Sequence, residues 1–290
     1  TSGAGSGDFI GIDTNLEAQD IANSGWNYTS SSSNITLSFW VKSSVAQTFH
    51  GYLSTQDGTQ QGYSFETGSL TANTWTKVTK TIPGNSNITI DNDNGSGLSL
   101  IIGVYWGTNF TDSGNTMNQW AAYSGSSRMP DNTTTWYTTN DATFEFTGVQ
   151  LEVGDTATSF EHRTYQEEIL RCMRYYQQLT GNDRGYNGAT GGSGSFKNCV
   201  IGIYNGATDV RGIYYHMVPM RDEPSLTVLG ALTDFDLEPF DRAPAAISMQ
   251  RPGVFQSTLL IQDSGSATAG QACELTIDQA AGGLAFSAEL

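Results

Sequence analysis

Carboxylates and a histidine are concentrated in GVQLEVGDTATSFEHRTYQEEILRCMRYYQ, residues 148–177, in a chain that is otherwise sparse in charge. Such residues serve as general acids and bases, and a glycosidase needs two carboxylates about 5–10 Å apart around the bond that it cleaves. Glu167 and Glu168 are adjacent on a predicted helix, so their side chains diverge by about 100° and cannot face each other across a substrate. We therefore interpret the segment as a structural joint and predict that the protein is not an enzyme. The acid–base candidates weighed are Glu152, Glu161, His162, Glu167 and Glu168.

Aromatic side chains suited to sugar binding lie between Tyr105 and Thr139, among many Asn, Ser and Thr residues. Trp and Tyr rings pack on the apolar faces of pyranose rings while polar side chains hold the hydroxyl groups. The segment is poor in aliphatic residues, which favours binding, although aromatic rings also dominate cores and subunit interfaces. The predicted carbohydrate-binding residues are Trp106, Trp120, Tyr123, Trp136 and Tyr137. Two later segments, GNDRGYNGATGG (181–192) and DFDLEPFDR (234–242), are a rival place for receptor contact, because loops on β scaffolds carry recognition.

The motif DNDNGSG, residues 91–97, resembles a calcium loop only at first sight. Counted from Asp91, Gly95 takes position 5 and Ile102 position 12, so the EF-hand pattern fails and a tight turn is predicted, with a single bound calcium left open. The three histidines lack metal-ligand spacing, and no nucleotide-binding motif is present, so no metal and no cofactor are predicted. The scattered Cys172, Cys199 and Cys273 are predicted to be buried free thiols.

The composition excludes some partners. The formal net charge is −16, so the chain should repel nucleic acid and anionic membranes, which require clustered Lys and Arg. No apolar run is long enough to span a bilayer, so no membrane insertion is expected. Thirty-three glycines and only 14% charged residues suit a mainly β protein with many turns. The start at Thr1 rather than Met predicts a processed or truncated chain.

Alternating apolar residues predict strands in the first half of the chain. ITLSFWVKSS places Ile35, Leu37, Phe39 and Val41 on one face, and GLSLIIGVYW does the same for Leu98, Leu100, Ile102 and Val104. In ATFEFTGVQLEV the inward parity switches at Gly148, which predicts a β-bulge there. These strands, separated by turns rich in Gly and Asn, favour a two-sheet sandwich or jelly roll.

After Phe160 the apolar period changes from two to 3.6. A helix is predicted over residues 161–181, with a capping box formed by Thr164 and Glu167. Its apolar stripe must be covered, either at a threefold axis or against the chain's own jelly roll. The predicted oligomer or domain joint consists of Tyr165, Ile169, Cys172, Tyr176 and Leu179.

The chain is predicted to be mainly β in two domains. All six tryptophans precede residue 140, whereas five of the seven prolines follow residue 215. We predict an N-terminal jelly-roll β-sandwich (1–160), one connecting α-helix (161–181) and a smaller C-terminal all-β domain (182–290).

Several ordered motifs carry a family resemblance. NLEAQDI, ITLSFWVKSS, NTWTKVTKTIPG, the pattern GVQLE-G--AT-FE-R---EE---C-RYY and the ending FSAEL resemble bacteriophage tail-fibre and virion structural proteins, in which a jelly roll similar to carbohydrate-binding modules precedes this segment. The resemblance implies a homotrimer in a virion appendage, with other virion proteins and a bacterial surface glycan as partners. The alternatives are a purely structural decoration protein and, further off, a polysaccharide depolymerase.

Overall fold

The computed structural model describes residues 3–181 and 197–289, with the backbone alone for residues 197–199. The chain divides into two compact units, and the division falls between His162 and Arg163 in the sequence. Both units are built from antiparallel sheets, so the predicted mainly β fold class is confirmed. Within the described residues, no helix is both long and apolar enough to cross a membrane.

The first unit contains a five-stranded sheet in the order β1-β6-β3-β4-β7 and a three-stranded sheet in the order β5-β2-β8. Strands adjacent in space are mostly distant in sequence, so the chain crosses repeatedly between the sheets. The elements are β1 Phe9–Glu17, α1 Ala18–Ala22, β2 Asn34–Ser43, β3 Thr48–Thr55, β4 Gln61–Ser69, β5 Thr76–Pro83, β6 Ser96–Trp106, β7 Trp120–Ala122, α2 Thr135–Thr138 and β8 Phe144–Val153.

The core of the first unit lies between these two sheets. The predicted inward residues of β2 and β6 are all buried in one cluster with side chains from β3, β4 and β5, so both predicted faces are confirmed. Alternate residues of β3 and β4, among them Tyr52 and Ser64, point instead to the outer face of the five-stranded sheet. The candidate functional site lies on that outer face.

A β-bulge occurs at Gly148, as the parity switch predicts. Ser38 pairs with Gln150 and Trp40 with Thr147, so two residues of β8, Gly148 and Val149, oppose one residue of β2. Gly148 has a φ of 62°, in the left-handed region that favours glycine. The glycine therefore allows β8 to keep apolar side chains inward on both sides of the bulge.

We expect Gly148→Ala to lower the free energy of unfolding by about 1–2 kcal/mol, because a Cβ is disfavoured in the left-handed region. An added Cβ would meet Trp40 and Phe160 only at ordinary contact distances, so the cost is conformational rather than steric. Chemical denaturation measures it, with Gly5→Ala as the control, since Gly5 is exposed and lacks a positive φ. Equal stability of the two variants would contradict this interpretation.

The second unit contains a six-stranded sheet in the order β13-β16-β10-β11-β15-β14 and a three-stranded sheet in the order β12-β17-β9. Its core joins residues of both sheets, including Val210, Leu259, Leu275 and Phe286. The elements are α3 Tyr165–Cys172, β9 Tyr176–Thr180, β10 Lys197–Tyr204, β11 Asp209–Tyr215, β12 Ser225–Leu229, a 3-10 turn Leu232–Asp234, β13 Phe235–Glu238, β14 Pro244–Arg251, β15 Gln256–Asp263, β16 Ala272–Ile277 and β17 Gly283–Ser287.

The predicted helix over 161–181 is wrong in its second half. α3 ends at Cys172, and residues from Tyr176 onward form β9, which pairs with β17. The predicted stripe is therefore not a single helical face. Tyr165 is 81% exposed and Cys172 is exposed, whereas Leu179 packs against the core of the second unit. The predicted stripe comprised Tyr165, Ile169, Cys172, Tyr176 and Leu179.

Tertiary pairing explains the early end of the helix. Pairing with β17 satisfies the backbone of β9 and buries the polar Gln177. The Gln177 side chain donates to the carbonyl oxygens of Met173 and Val218 and accepts from the amide of Met217. Since the inward residue is a glutamine, the alternation of a strand is hidden in the sequence, and the 3.6 period continues by coincidence.

The predicted capping box of α3 is confirmed. The Thr164 hydroxyl accepts from the Glu167 amide, and the Glu167 carboxylate accepts from the Thr164 amide at 2.9 Å. These hydrogen bonds from Thr164 lower the pKa of the Glu167 carboxyl. Both groups are exposed, so the box acts locally on the first turn of the helix.

We expect Thr164→Ala to accelerate amide hydrogen exchange of Glu167 and Glu168 by about fivefold, because a lost cap costs about 1 kcal/mol. Thr164→Ser keeps the hydroxyl and should exchange like the wild type. Exchange rates that do not change in the alanine variant would show that the cap adds nothing to helix stability.

The predictions for the cysteines and for the two candidate receptor-contact loops are only partly confirmed. Cys273 is buried as predicted, but Cys172 is exposed, because the helix that carries it buries no residue, and the Cys199 side chain lies outside the described residues. Most of DFDLEPFDR is not a free loop, since Phe235 and Leu237 are buried in β13. Of GNDRGYNGATGG, residues 182–192 lie outside the described residues.

A buried ionic network joins the ends of β10 and β15 to Arg242, in the segment between β13 and β14. The Asp263 carboxylate, whose side chain is fully buried, accepts from the Tyr204 hydroxyl at 2.6 Å, from the Gly265 amide at 2.8 Å and from the Arg242 guanidinium. Burial alone would raise the pKa of Asp263, but the hydrogen bonds from Tyr204 and Gly265 and the charge of Arg242 hold it below its usual value. The carboxylate is therefore ionised and satisfied inside the unit.

Candidate functional site

The segment after β6 packs on the outer face of the five-stranded sheet. Trp106, Tyr52 and Met129 are buried there in a second apolar cluster, separate from the main core, and Phe110 and Tyr123 pack against it. Strand β4 contributes Ser64, which lies directly opposite Tyr52 in the register. The loop is thereby fixed over the sheet by buried aromatic contacts rather than lying free in solvent.

A cleft of about 160 Å³ lies between this loop and the sheet. Its floor comes from Tyr52, Gly62 and Ser64, and its wall comes from Asn115 to Arg128. The lining is dominated by hydroxyl and amide groups and includes one cation. None of the lining residues, all of which the structure describes, is Asp, Glu or His. The full set is Tyr52, Gly62, Ser64, Gly114, Asn115, Thr116, Gln119, Ala121, Ala122, Tyr123, Ser124, Ser127 and Arg128.

Arg128 gives the cleft its positive charge. Its guanidinium carbon lies 4.6 Å from the centre of the Phe110 ring and 5.9 Å from those of Tyr52 and Tyr123. Arg128 takes part in none of the ion pairs found among the described residues. Three aromatic rings thus hold a planar cation in a fixed orientation, and its charge is available to an incoming carboxylate.

Several polar groups around Arg128 are ready to bind a ligand. Burial, together with the neighbouring Tyr123, raises the pKa of Tyr52 well above its usual range, so its hydroxyl stays protonated. The Arg128 Nε and the Asn115 Oδ1 are buried without a hydrogen-bond partner. One is a donor and the other an acceptor, and a sugar hydroxyl can serve both kinds of group after a small side-chain rotation. Unsatisfied buried groups are costly, so a polar ligand gains affinity by satisfying them.

Two of the five predicted sugar-binding rings are buried, and their prediction is wrong. Trp106 is 3% exposed, stacks on Phe9 at 5.3 Å and donates from its indole to the His50 carbonyl oxygen. Trp120 is 9% exposed and donates to the Pro83 carbonyl oxygen at 2.6 Å. Both rings serve the packing of the unit, because neither offers a free face to a pyranose.

The other three predicted rings remain half-buried at the surface. Tyr123 lines the cleft. Trp136 and Tyr137 lie on α2, where Trp136 packs against the main core and Tyr137 stacks on Tyr105 at 4.4 Å between ring centres. The structure therefore brings Tyr123 together with Tyr52 and Arg128 but does not bring Trp136 or Tyr137 into the cleft.

The acid–base candidates of residues 148–177 lie at the surface. Hydrogen bonds from Gln150 and, to a smaller extent, from Thr158 lower the pKa of the Glu152 carboxyl. The amide and the hydroxyl of Thr158 both donate to this carboxylate. Glu161 and His162 are exposed, and the His162 ring contacts Phe160.

Asp93 in DNDNGSG accepts from the Gly95 amide in a turn, as predicted. Within the described residues, no group of three or more His, Cys, Asp and Glu side chains could hold a metal ion.

Sequence reasoning missed Tyr52, Ser64, Asn115 and Arg128. One signal was available, since Arg128 is the only Lys or Arg between Lys80 and Arg163 and lies inside the aromatic segment. The contribution of Tyr52 and Ser64 carried no local signal, because it depends on which face of the sheet the loop covers.

Comparisons with known proteins do not assign the chain to a family. No family model matches the chain, and no curated protein matches it. Among solved structures, the cryo-EM structure of T=1 Penaeus vannamei nodavirus matches over 99% of this chain and 93% of that chain, at 11% sequence identity and a TM-score of 0.19. That TM-score does not establish a common fold, so the class defined here is a two-unit antiparallel β protein with a polar cleft.

Proposed function

We propose that the chain is part of a bacteriophage virion appendage, a tail fibre or a related structure, which binds a bacterial surface polysaccharide without cleaving it. The virion assignment is supported by the ordered motifs around GVQLE and CMRYY. Glycan binding is supported by the cleft of the first unit, where hydroxyl and amide groups surround a guanidinium held by aromatic rings.

The single observation that carries the binding role is the environment of Arg128. A guanidinium presents paired donors that match a carboxylate, and aromatic rings beside it can pack on a sugar. A neutral sugar would use only the hydroxyl and amide groups of the cleft. The best ligand is therefore a polysaccharide that contains a sugar acid, bound with its carboxylate on Arg128 and its hydroxyls on Ser64, Asn115 and Tyr52.

Binding rather than hydrolysis is supported by the lining of the cleft. A glycosidase of the common kind places two carboxylates around the scissile bond, and the cleft contains neither Asp nor Glu. A small cleft of this volume holds one sugar residue, so each site is weak. In a homotrimer three such sites engage together, and avidity raises the overall affinity by a factor on the order of 10²–10⁴.

A glycan array of acidic and neutral bacterial polysaccharides, probed with the full chain, tests this function. We expect retention on glycans that contain a sugar acid and loss of retention when their carboxylates are reduced to alcohols. Failure to bind any glycan would contradict the proposal and favour a purely structural virion component. Release of new reducing ends from a bound polysaccharide would also contradict the proposal, because it would show that the chain cleaves the polysaccharide as a depolymerase.

A further inference from the structure

The outer face of the six-stranded sheet in the second unit carries large apolar side chains that are exposed. Val200, Tyr204 and Val210 point inward and are buried, so the alternate residues of the same strands point outward. The outward residues are Ile201 (66% exposed), Ile203 (57%), Ile213 (45%) and Tyr215 (68%). Isolated exposed apolar residues are ordinary, but four that are adjacent on one sheet mark a contact surface.

The strand register places charge on either side of this apolar centre. Glu238 pairs with Glu274, which pairs with Ile201, and Ile213 pairs with Thr258, which pairs with Arg251. The pairing of Gly202 with Gly212 sets Ile201 beside Ile213. Across the six strands, one row on the outer face therefore has the order Glu238, Glu274, Ile201, Ile213, Thr258, Arg251.

The two charged margins lack partners of opposite sign. Glu238 and Glu274 lie directly opposite each other, and like charges in this position destabilise a sheet. Arg211, on β11 beside Ile203, adds a second positive charge to the half of the face that ends at Arg251, and Asp209 lies two residues away on the same strand. Neither the two glutamates nor the two arginines take part in the ion pairs found among the described residues. The acidic margin therefore attracts positively charged groups, and the basic margin attracts negatively charged groups.

We propose that this outer face, from Glu238 and Glu274 to Arg251, is the contact between copies of this chain. A second copy offers an apolar centre and both kinds of margin, so the acidic margin of one copy can lie against the basic margin of the next. A ligand of one sign of charge, such as an acidic polysaccharide, would match only the arginine side. Burial of the isoleucines removes water around the charged margins and strengthens their pairing.

This inference does not depend on glycan binding in the first unit. Only the self-association of the chain is common to this contact and the proposed function, and the contact rests on residues of the six-stranded sheet alone. A pair of copies and a closed ring of three both satisfy it. A glycan array can therefore fail while self-association is observed, and the reverse result is equally possible.

Light scattering and sedimentation of the full chain at low micromolar concentration test the inference. We expect a wild-type mass that is an integral multiple, two or more, of the chain mass of 31.2 kDa. Glu274→Arg and Arg251→Glu should each weaken association by about tenfold or more, because each places like charges face to face. The double variant restores opposite signs across the contact and should regain most of the association.

Two controls separate loss of contact from loss of fold. Both charge reversals lie at the surface of the sheet, so circular dichroism and thermal unfolding should match those of the wild type. Ile213→Asp should abolish association, whereas Glu223→Arg, at an exposed site away from this face, should leave it unchanged. A wild-type chain that is monomeric up to 100-fold higher concentration, or an Ile213→Asp variant that still associates, would overturn the proposal.

Discussion

Replacing Asp263 by alanine is expected to lower the free energy of unfolding of the second unit by about 3–5 kcal/mol. The carboxylate is fully buried and accepts from Tyr204, Gly265 and Arg242. Its removal leaves the Arg242 charge and the buried Tyr204 hydroxyl without their acceptor, and breaking a buried pair costs far more than an exposed one. Chemical denaturation measures the loss, and Glu223→Ala, at an exposed acid, should change stability by less than about 0.5 kcal/mol.

The same residue predicts how the stability depends on pH. The pKa of Asp263 is lower in the folded unit than the value of about 3.9 expected for the unfolded chain. The folded state therefore binds the proton more weakly, so the stabilisation is complete above about pH 4 and is lost as pH falls through the folded pKa. Asp263→Ala should lack this part of the acid transition. Parallel pH profiles for wild type and variant would contradict the assignment.

Replacing Trp106 by alanine is the second large effect, with an expected loss of about 3–5 kcal/mol in the first unit. The ring stacks on Phe9, lies within 6.3 Å of Tyr52 and Phe110 between ring centres and is almost completely buried. Its removal leaves a cavity under the loop that walls the cleft. The variant should therefore lose stability, and should lose ligand binding only as a consequence.

Trp75 provides the matched control for this change. Its ring is 42% exposed and packs under the Lys42 ammonium, so Trp75→Ala should cost less than about 1 kcal/mol. Thermal unfolding of both variants makes the comparison. If Trp106→Ala were as stable as Trp75→Ala but had lost glycan binding, Trp106 would be a sugar platform after all.

The β faces of the first unit could be predicted because their signal is local. The buried apolar side chains from Ile35 to Val41 and from Leu98 to Val104 recur at every second position, and the glycine at position 148 marks the bulge where the parity changes. The cap of α3 was equally predictable, since its partners are three residues apart. The end of that helix was not, because β9 exists only through its pairing with β17, about 100 residues away in the chain.

The candidate site was predictable in its location but not in its members. The aromatic segment does contain the wall of the cleft, yet aromatic type alone does not separate a buried ring such as Trp106 from a surface ring such as Tyr123. That distinction depends on which rings the sheet covers. Tyr52 enters the site from a strand more than 60 residues before the wall, by the alternation of β3 rather than by any motif.

The most direct test of glycan binding in the cleft is the affinity of the full chain for a sugar-acid glycan, measured by calorimetry for variants of the cleft. Arg128→Gln and Tyr123→Ala should each reduce affinity about tenfold or more while circular dichroism shows that the fold is retained, since both remove groups that line the cleft. Ser126→Ala, at an exposed neighbouring position, and Trp136→Ala should bind like the wild type. Wild-type affinity in Arg128→Gln would contradict binding of the glycan in the cleft. Lost binding in a folded Trp136→Ala would instead place the site at α2.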